Sequence, residues 1–208
     1  FKFRRLPLNL FKLDDDLDKC AEYHIDKHVG KMQLECAQMM CTNHWIDYLL
    51  GYVPRKLTPE EHLKLKVFMK EQRPLTMGNR IFPYLACHHN HPSTVWMRES
   101  VANYEWAFCY AHALSIEQAY RTGGSHKSFE VIRNLPELIH MKDVGETPFK
   151  LAMTDNMPRG LVDTDHPVWS YRNFYMLDKA SISSWKGREK PPWWNEDLAD
   201  YDKRISGQ

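Results

Sequence analysis

The chain has 208 residues, 43% hydrophobic and 26% charged, with 28 Lys and Arg against 27 Asp and Glu. That balance suits one generous globular domain and excludes a polycation coating nucleic acid with its whole surface, so phosphate contacts must come from local clusters. Five cysteines, none in a CxxC pair, argue against a disulfide framework, a zinc ribbon or a thioredoxin-like centre. There is no run of about 18 apolar residues to span a membrane. The expected setting is intracellular, whether cytoplasm, nucleoid or organelle matrix, and a virus-encoded protein fits it.

Residues 1–13, with Leu6, Leu8, Leu10 and Phe11 around Pro7, read as an extended N-terminal arm packed on the body. Asp14, Asp15 and Asp16 supply an N-cap and favourable charge for a helix start. Over 15–50 there is no proline, and Leu17, Ala21, Ile25, Val29, Met32, Cys36 and Met39 recur at steps of three and four. That period predicts one long amphipathic helix, with a break near 41–43 and an end at Gly51 and Pro54. Thr58, Pro59 and Glu61 open a second helix running to about 72. The stretch 74–92 is predicted irregular. Ser93 is predicted to cap a third helix to about 121, closed by Gly123 and Gly124. A short helix over 129–140, a loop over 142–167 and a last helix over 168–185 complete the expectation. The class is all-α: a single helical domain (14–185), an extended arm (1–13) and an irregular C-terminal tail (186–208).

His24, His28, Lys31, Glu35 and Gln38 fall within about 80° on an ideal helix. They flank the apolar line, with Asp26, Gln33 and Ala37 on the predicted solvent side. A carboxylate near a cation and beside imidazoles is the material of acid–base chemistry. Glu35, His28 and Lys31 are therefore the candidate catalytic set. A solvated helix edge with a Lys31–Glu35 pair explains the same spacing and stays open.

A second cluster begins at His91, where a helix start would favour an anion. Trp96, Glu99, Asn103 and Trp106 recur at helical spacing with Arg98 beside them. A cation and indoles together suit a nucleotide, although Trp96 and Trp106 equally suit a core. His126 and Lys127 follow a glycine loop. On the last helix, Arg172 and Lys179 can reach one side, near Tyr171 and Tyr175. The candidate nucleic-acid contacts are thus His91, Trp96, Arg98, Glu99, Asn103, His126, Lys127, Arg172 and Lys179. Lys2, Arg4 and Arg5 at the start, and Lys186, Arg188 and Lys190 near the end, are further basic clusters or solvated termini. Pro191-Pro192-Trp193-Trp194 reads as a packing clamp.

His24, His28, His88, His89 and His91 with the carboxylates Glu35 and Glu99 are candidate metal ligands. Di-iron bundles place Glu-x-x-His on two helices, a pair this sequence lacks. No metal and no cofactor is assigned.

Asp26-Lys27-His28 followed by Glu35 resembles the Asp-Gln-His-x6-Glu helix of the phage pyrimidine-dimer DNA glycosylase/lyases. The segment 179–194, with Arg188, Pro191 and Trp193, resembles that family's basic, aromatic end. Larger dimer-glycosylase-like phage proteins resemble more of the chain: Asn9-Leu-Phe, Asp26-Lys-His-Val-x-Lys31-Met-x-Leu-Glu35, Asn90-His-Pro, Trp96-x-Arg98-Glu99-Ser, Asn103-Tyr-x-Trp106 and His126-Lys127-Ser. The resemblance implies that Glu35 is the catalytic carboxylate and His28 its neighbour in a lesion pocket. It also implies an α-amino group that attacks C1′ of the sugar to give an imine. Here eight residues precede Asn9, where the related proteins begin, so Lys31 stands as an alternative amine.

The leading expectation is a DNA-directed enzyme, a glycosylase acting on damaged or modified pyrimidines, with lyase activity as a further step. The alternatives are a non-catalytic nucleic-acid-binding or structural subunit, docked through its terminal arms, and a metal-dependent helical-bundle oxidase.

Overall fold

The computed structural model describes residues 9–153 and 157–199. Its helices are α1 (Leu17–Tyr23), α2 (Asp26–Leu50), α3 (Pro59–Gln72), α4 (Pro92–Met97), α5 (Val101–Thr122), α6 (Lys127–Arg133) and α7 (Pro167–Asp178). Short 3-10 turns lie at Met77–Asn79, Arg159–Leu161 and Ala180–Ile182. No strand occurs among the described residues, and the fold is all-α. Among the same residues no helix is long and apolar enough to cross a membrane.

Where capping chemistry is local, the predicted ends hold. Asp16 caps α1 by accepting from the Asp18 and Lys19 amides. Thr58 and Glu61 form a capping box on α3. Gly51 and Gly123 end α2 and α5 in left-handed backbone, at φ 71° and 70°, a conformation in which a Cβ would be strained.

The 25-residue α2 is the central element, packed by α3, α4, α5 and α6. The main core joins it to α1, α5, α7 and the entering segment. A smaller core around Trp45, Ile46, Leu65, Met69 and Phe82 seats α3 on its C-terminal half. Gln33 and Ala37, expected toward solvent, are fully buried. The reason is close approach of α5 and α6. A Cβ on Gly30 would stand 3.3 Å from both Gln118 and His126, and Gln33 donates to the Leu114 carbonyl of α5.

Two predicted long helices are each broken. The 15–50 helix parts at His24–Ile25, in extended backbone, and runs unbroken through 41–43. Arg121 holds the break open. It donates to the carbonyls of Glu22 (2.8 Å) and His24 (2.9 Å) and to the carboxylates of Glu117 (2.6 Å) and Asp26 (2.9 Å). Those carbonyls would otherwise serve helical amides. The 93–121 helix parts at Arg98–Ser100, and His91, not Ser93, is the N-cap of α4. The last two helices are shorter than predicted: α6 starts at Lys127 and stops at Arg133, and α7 stops at Asp178.

The described parts of both arms belong to the core. Leu10 and Leu13 are fully buried and Phe11 nearly so. In the tail, Arg188 donates to Glu117 at 2.8 and 3.1 Å and covers the Tyr120 ring at 3.9 Å. Trp193 meets Tyr23 edge-on at 5.8 Å, as a packing clamp does. Leu10, Phe11, Leu13, Arg188 and Trp193 are thus engaged within the chain, while Lys186, Glu189 and Lys190 stay exposed. Lys2, Arg4 and Arg5 lie outside the described residues.

Candidate functional site

Glu35 sits two turns into α2 and is only 5% exposed. Lys31, one turn earlier, places its Nζ 3.1 Å from Glu35 Oε1, with about a third of its side chain open to solvent. The main-chain amide of Asn9 donates to Glu35 Oε2 at 2.8 Å. Burial raises the Glu35 carboxyl above its usual range, against the pull of Lys31, the Asn9 amide and Lys179. A carboxyl so placed exchanges a proton more readily near neutrality than an exposed one.

Asn9 is itself fixed. Its Oδ1 accepts from the Tyr171 hydroxyl at 2.8 Å, and its side-chain amide donates to the Ala152 carbonyl. The Tyr171 hydroxyl in turn accepts from the Ala152 amide. The entering chain, the loop before α7 and α7 are thereby joined at one end of the carboxylate.

His28 is 2% exposed, shares a 2.6 Å hydrogen bond with the Tyr175 hydroxyl, and stacks on Phe11 at 4.9 Å. Burial, then the positive charge of His24, Lys31 and Lys179, pushes its pKa down to about 2. The imidazole is neutral at any physiological pH, and Tyr175, raised by burial, keeps its proton. His24 has left the stripe. As the cap of α1 it bonds the Cys20 carbonyl (2.6 Å) and the Tyr110 hydroxyl (2.8 Å), with burial lowering its pKa to about 4. Of the five-residue stripe, His28, Lys31 and Glu35 remain together.

No family model, curated protein or solved structure matches this chain. The site therefore rests on its own geometry.

The predicted nucleic-acid contacts divide. Lys179 stands near enough for its charge to act on both His28 and Glu35, and its Nζ pairs with Asp178 at 2.6 Å beneath the Phe174 ring. Arg172 does not join it. Its guanidinium takes the Leu13 carbonyl and the Asp14 carboxylate. Arg98 is 3% exposed and donates to the carbonyls of Pro54, Arg55 and His89 and to Asn43, which leaves no phosphate seat there. Asn43 lies about 12 Å along α2 beyond Glu35, so this cluster and the carboxylate are separate.

Trp96 is fully buried and its indole donates to the Thr147 carbonyl. Asn103 pairs with Thr147 through both side-chain ends, and Glu99 accepts from the Thr147 hydroxyl and pairs with Arg55. These residues fasten the loop before α7. His91 and His126 are caps whose Nδ1 atoms accept from Ser93 and Ser128 amides. Lys127 is exposed at the start of α6. Among the described residues no three His, Cys, Asp or Glu side chains gather as a metal-binding group, so the oxidase reading finds no ligand set there.

Asn9, Tyr171 and Tyr175 were not assigned to the site from sequence. The two tyrosines share a face of α7 at a four-residue step, and that spacing was their only signal.

Proposed function

We propose that the chain is a DNA-directed enzyme that cleaves the glycosidic bond of damaged or modified pyrimidines, with Glu35, Lys31 and His28 at its centre. The observation that carries this reading is the buried, pKa-raised Glu35 carboxyl 3.1 Å from a Lys31 amine that reaches solvent. The Asn9 nitrogen beside Glu35 is an amide in this chain, so the nucleophile's role passes to Lys31.

In this scheme Glu35 takes a proton from Lys31 Nζ. The freed amine adds at C1′ while the C1′–N bond breaks. The base leaves with the bonding pair and receives the proton from Glu35. Glu35, again a carboxylate, takes a proton from the adduct nitrogen and passes it to O4′ as C1′–O4′ breaks, which leaves a C1′=N iminium on Lys31. Loss of a C2′ proton and departure of the 3′ phosphate would complete a lyase step. Neutral His28, held by Tyr175, adds no competing charge beside Lys31. The base itself must leave the duplex stack to be reached.

A second reading has its own observation: Glu35 anchors the entering chain through Asn9, which a purely structural subunit would also need. Base release from a dimer-containing duplex separates the two. Wild type is expected to release base, and Glu35→Gln to do so about a hundredfold more slowly, the usual worth of one acid–base group. Glu35→Gln keeps an oxygen for the Asn9 amide, so its unfolding midpoint should stay close to wild type. No release by wild type would sink the glycosylase and leave the structural reading.

A further inference from the structure

A line of positive charge without a carboxylate partner lies on α3, on a groove that Glu35 does not line. On an ideal helix His62, Lys66, Met69, Lys70 and Arg73 fall within about 100°, while Glu60, Glu61 and Glu71 fall on the other side. The fold adds His89 from the loop before α4, its ring centroid 4.5 Å from that of His62. Together they line a groove of about 390 Å³ in which no Asp or Glu takes part.

Several cations elsewhere are matched. Lys12, Arg55, Arg172, Arg188 and Lys190 each have a carboxylate partner. Lys66, Lys70 and Arg73 are exposed, and none has a side-chain ion pair or hydrogen bond among the described residues. Burial, then the charges of His62, Arg98 and His88, holds the His89 pKa below the ordinary value. Like charges gathered without a counter-charge raise the free energy of the folded chain. An anionic ligand removes that penalty.

Lys66 to Arg73 spans about 10 Å of helix at 1.5 Å per residue. Phosphates of one DNA strand rise about 3.4 Å per step, so that span covers about three steps, and three cations about 6 and 4.5 Å apart along the helix can face phosphates of one short stretch. We propose that this face of α3 binds the phosphate backbone of duplex DNA, independently of base sequence. The choice of DNA as the polyanion rests on the function proposed above.

The test is anisotropy of a labelled, undamaged 20-base-pair duplex at 50 to 200 mM salt. It compares wild type, the combined Lys66→Ala, Lys70→Ala and Arg73→Ala variant, and Lys64→Ala on the opposite face. Each phosphate contact contributes about 0.9 to the salt slope. Wild-type affinity should therefore fall roughly fortyfold more across that range than the triple variant's. Lys64→Ala should follow wild type. A triple variant with the wild-type slope overturns the proposal. So does a wild type that ignores the duplex, including one that binds phosphatidylserine vesicles instead. Groove-dependent duplex binding without base release would remove the glycosylase and keep the groove.

Discussion

Acidifying the protein from pH 7 to pH 5 is expected to lower its unfolding free energy by roughly 6 kcal/mol through its three most deeply buried imidazoles, with the half-buried His91 adding in the same direction. His24, His28 and His44 are each at most 2% exposed. Burial puts their pKa values at about 4, about 2 and about 4, against 6.5 in the unfolded chain. Between those limits the unfolded chain binds protons that the fold refuses. Stability is therefore full above the unfolded value and drains away as pH falls below 6.5, by roughly 2 kcal/mol per imidazole at pH 5. Glu35 acts in the opposite sense, because its raised carboxyl is a penalty relieved on acidification. Asp26 and Glu117 are held low, despite the opposing effect of burial, by amide and arginine partners. They contribute below this window. Urea unfolding at pH 7, 6 and 5 measures the effect. A midpoint that does not move would show that these imidazoles take up protons while folded.

Arg121→Met is expected to cost about 3–5 kcal/mol, the range for removing one partner of a buried ionic network. Its side chain is 3% exposed beside Glu117 at 4%, and it serves the Glu22 and His24 carbonyls at the α1–α2 break, where Trp185 takes the Tyr23 carbonyl. The variant would leave the Asp26 and Glu117 carboxylates short of a partner and two carbonyls unserved. Arg188 still reaches Glu117, so the loss should stop short of complete unfolding. Arg133→Met, which breaks the exposed pair with Glu130, should cost under about 1 kcal/mol. Chemical denaturation of both variants gives the comparison. Equal, small losses would mean that the break is held by packing alone.

Sequence made legible whatever a few neighbouring residues decide. Asp16, Thr58 with Glu61, Gly51 and Gly123 act within one turn, and their helix ends were predicted. The breaks at His24–Ile25 and Arg98–Ser100 were not, because the partners that set them come from distant segments. Arg121 lies 97 residues from the His24 carbonyl it takes. The site divides in the same way. Lys31 and Glu35 are one turn apart on a helix, so their pairing follows from spacing. Asn9 and Tyr175 join from 26 and 147 residues away. Arg98 looked like a phosphate ligand because sequence displays its charge and hides the carbonyls around it. The basic line on α3 had a readable period, but only the fold shows that no carboxylate joins it.

The proposed chemistry makes one bond that nothing else here requires, between Lys31 Nζ and C1′ of the sugar. Borohydride reduction during reaction with a dimer-containing duplex, followed by peptide mapping of the adduct, looks for it directly. The expected result is a reduced sugar adduct on Lys31, absent from Lys31→Met and strongly diminished in Glu35→Gln. An adduct on another residue, or base release with no adduct at all, would contradict the role given to Lys31.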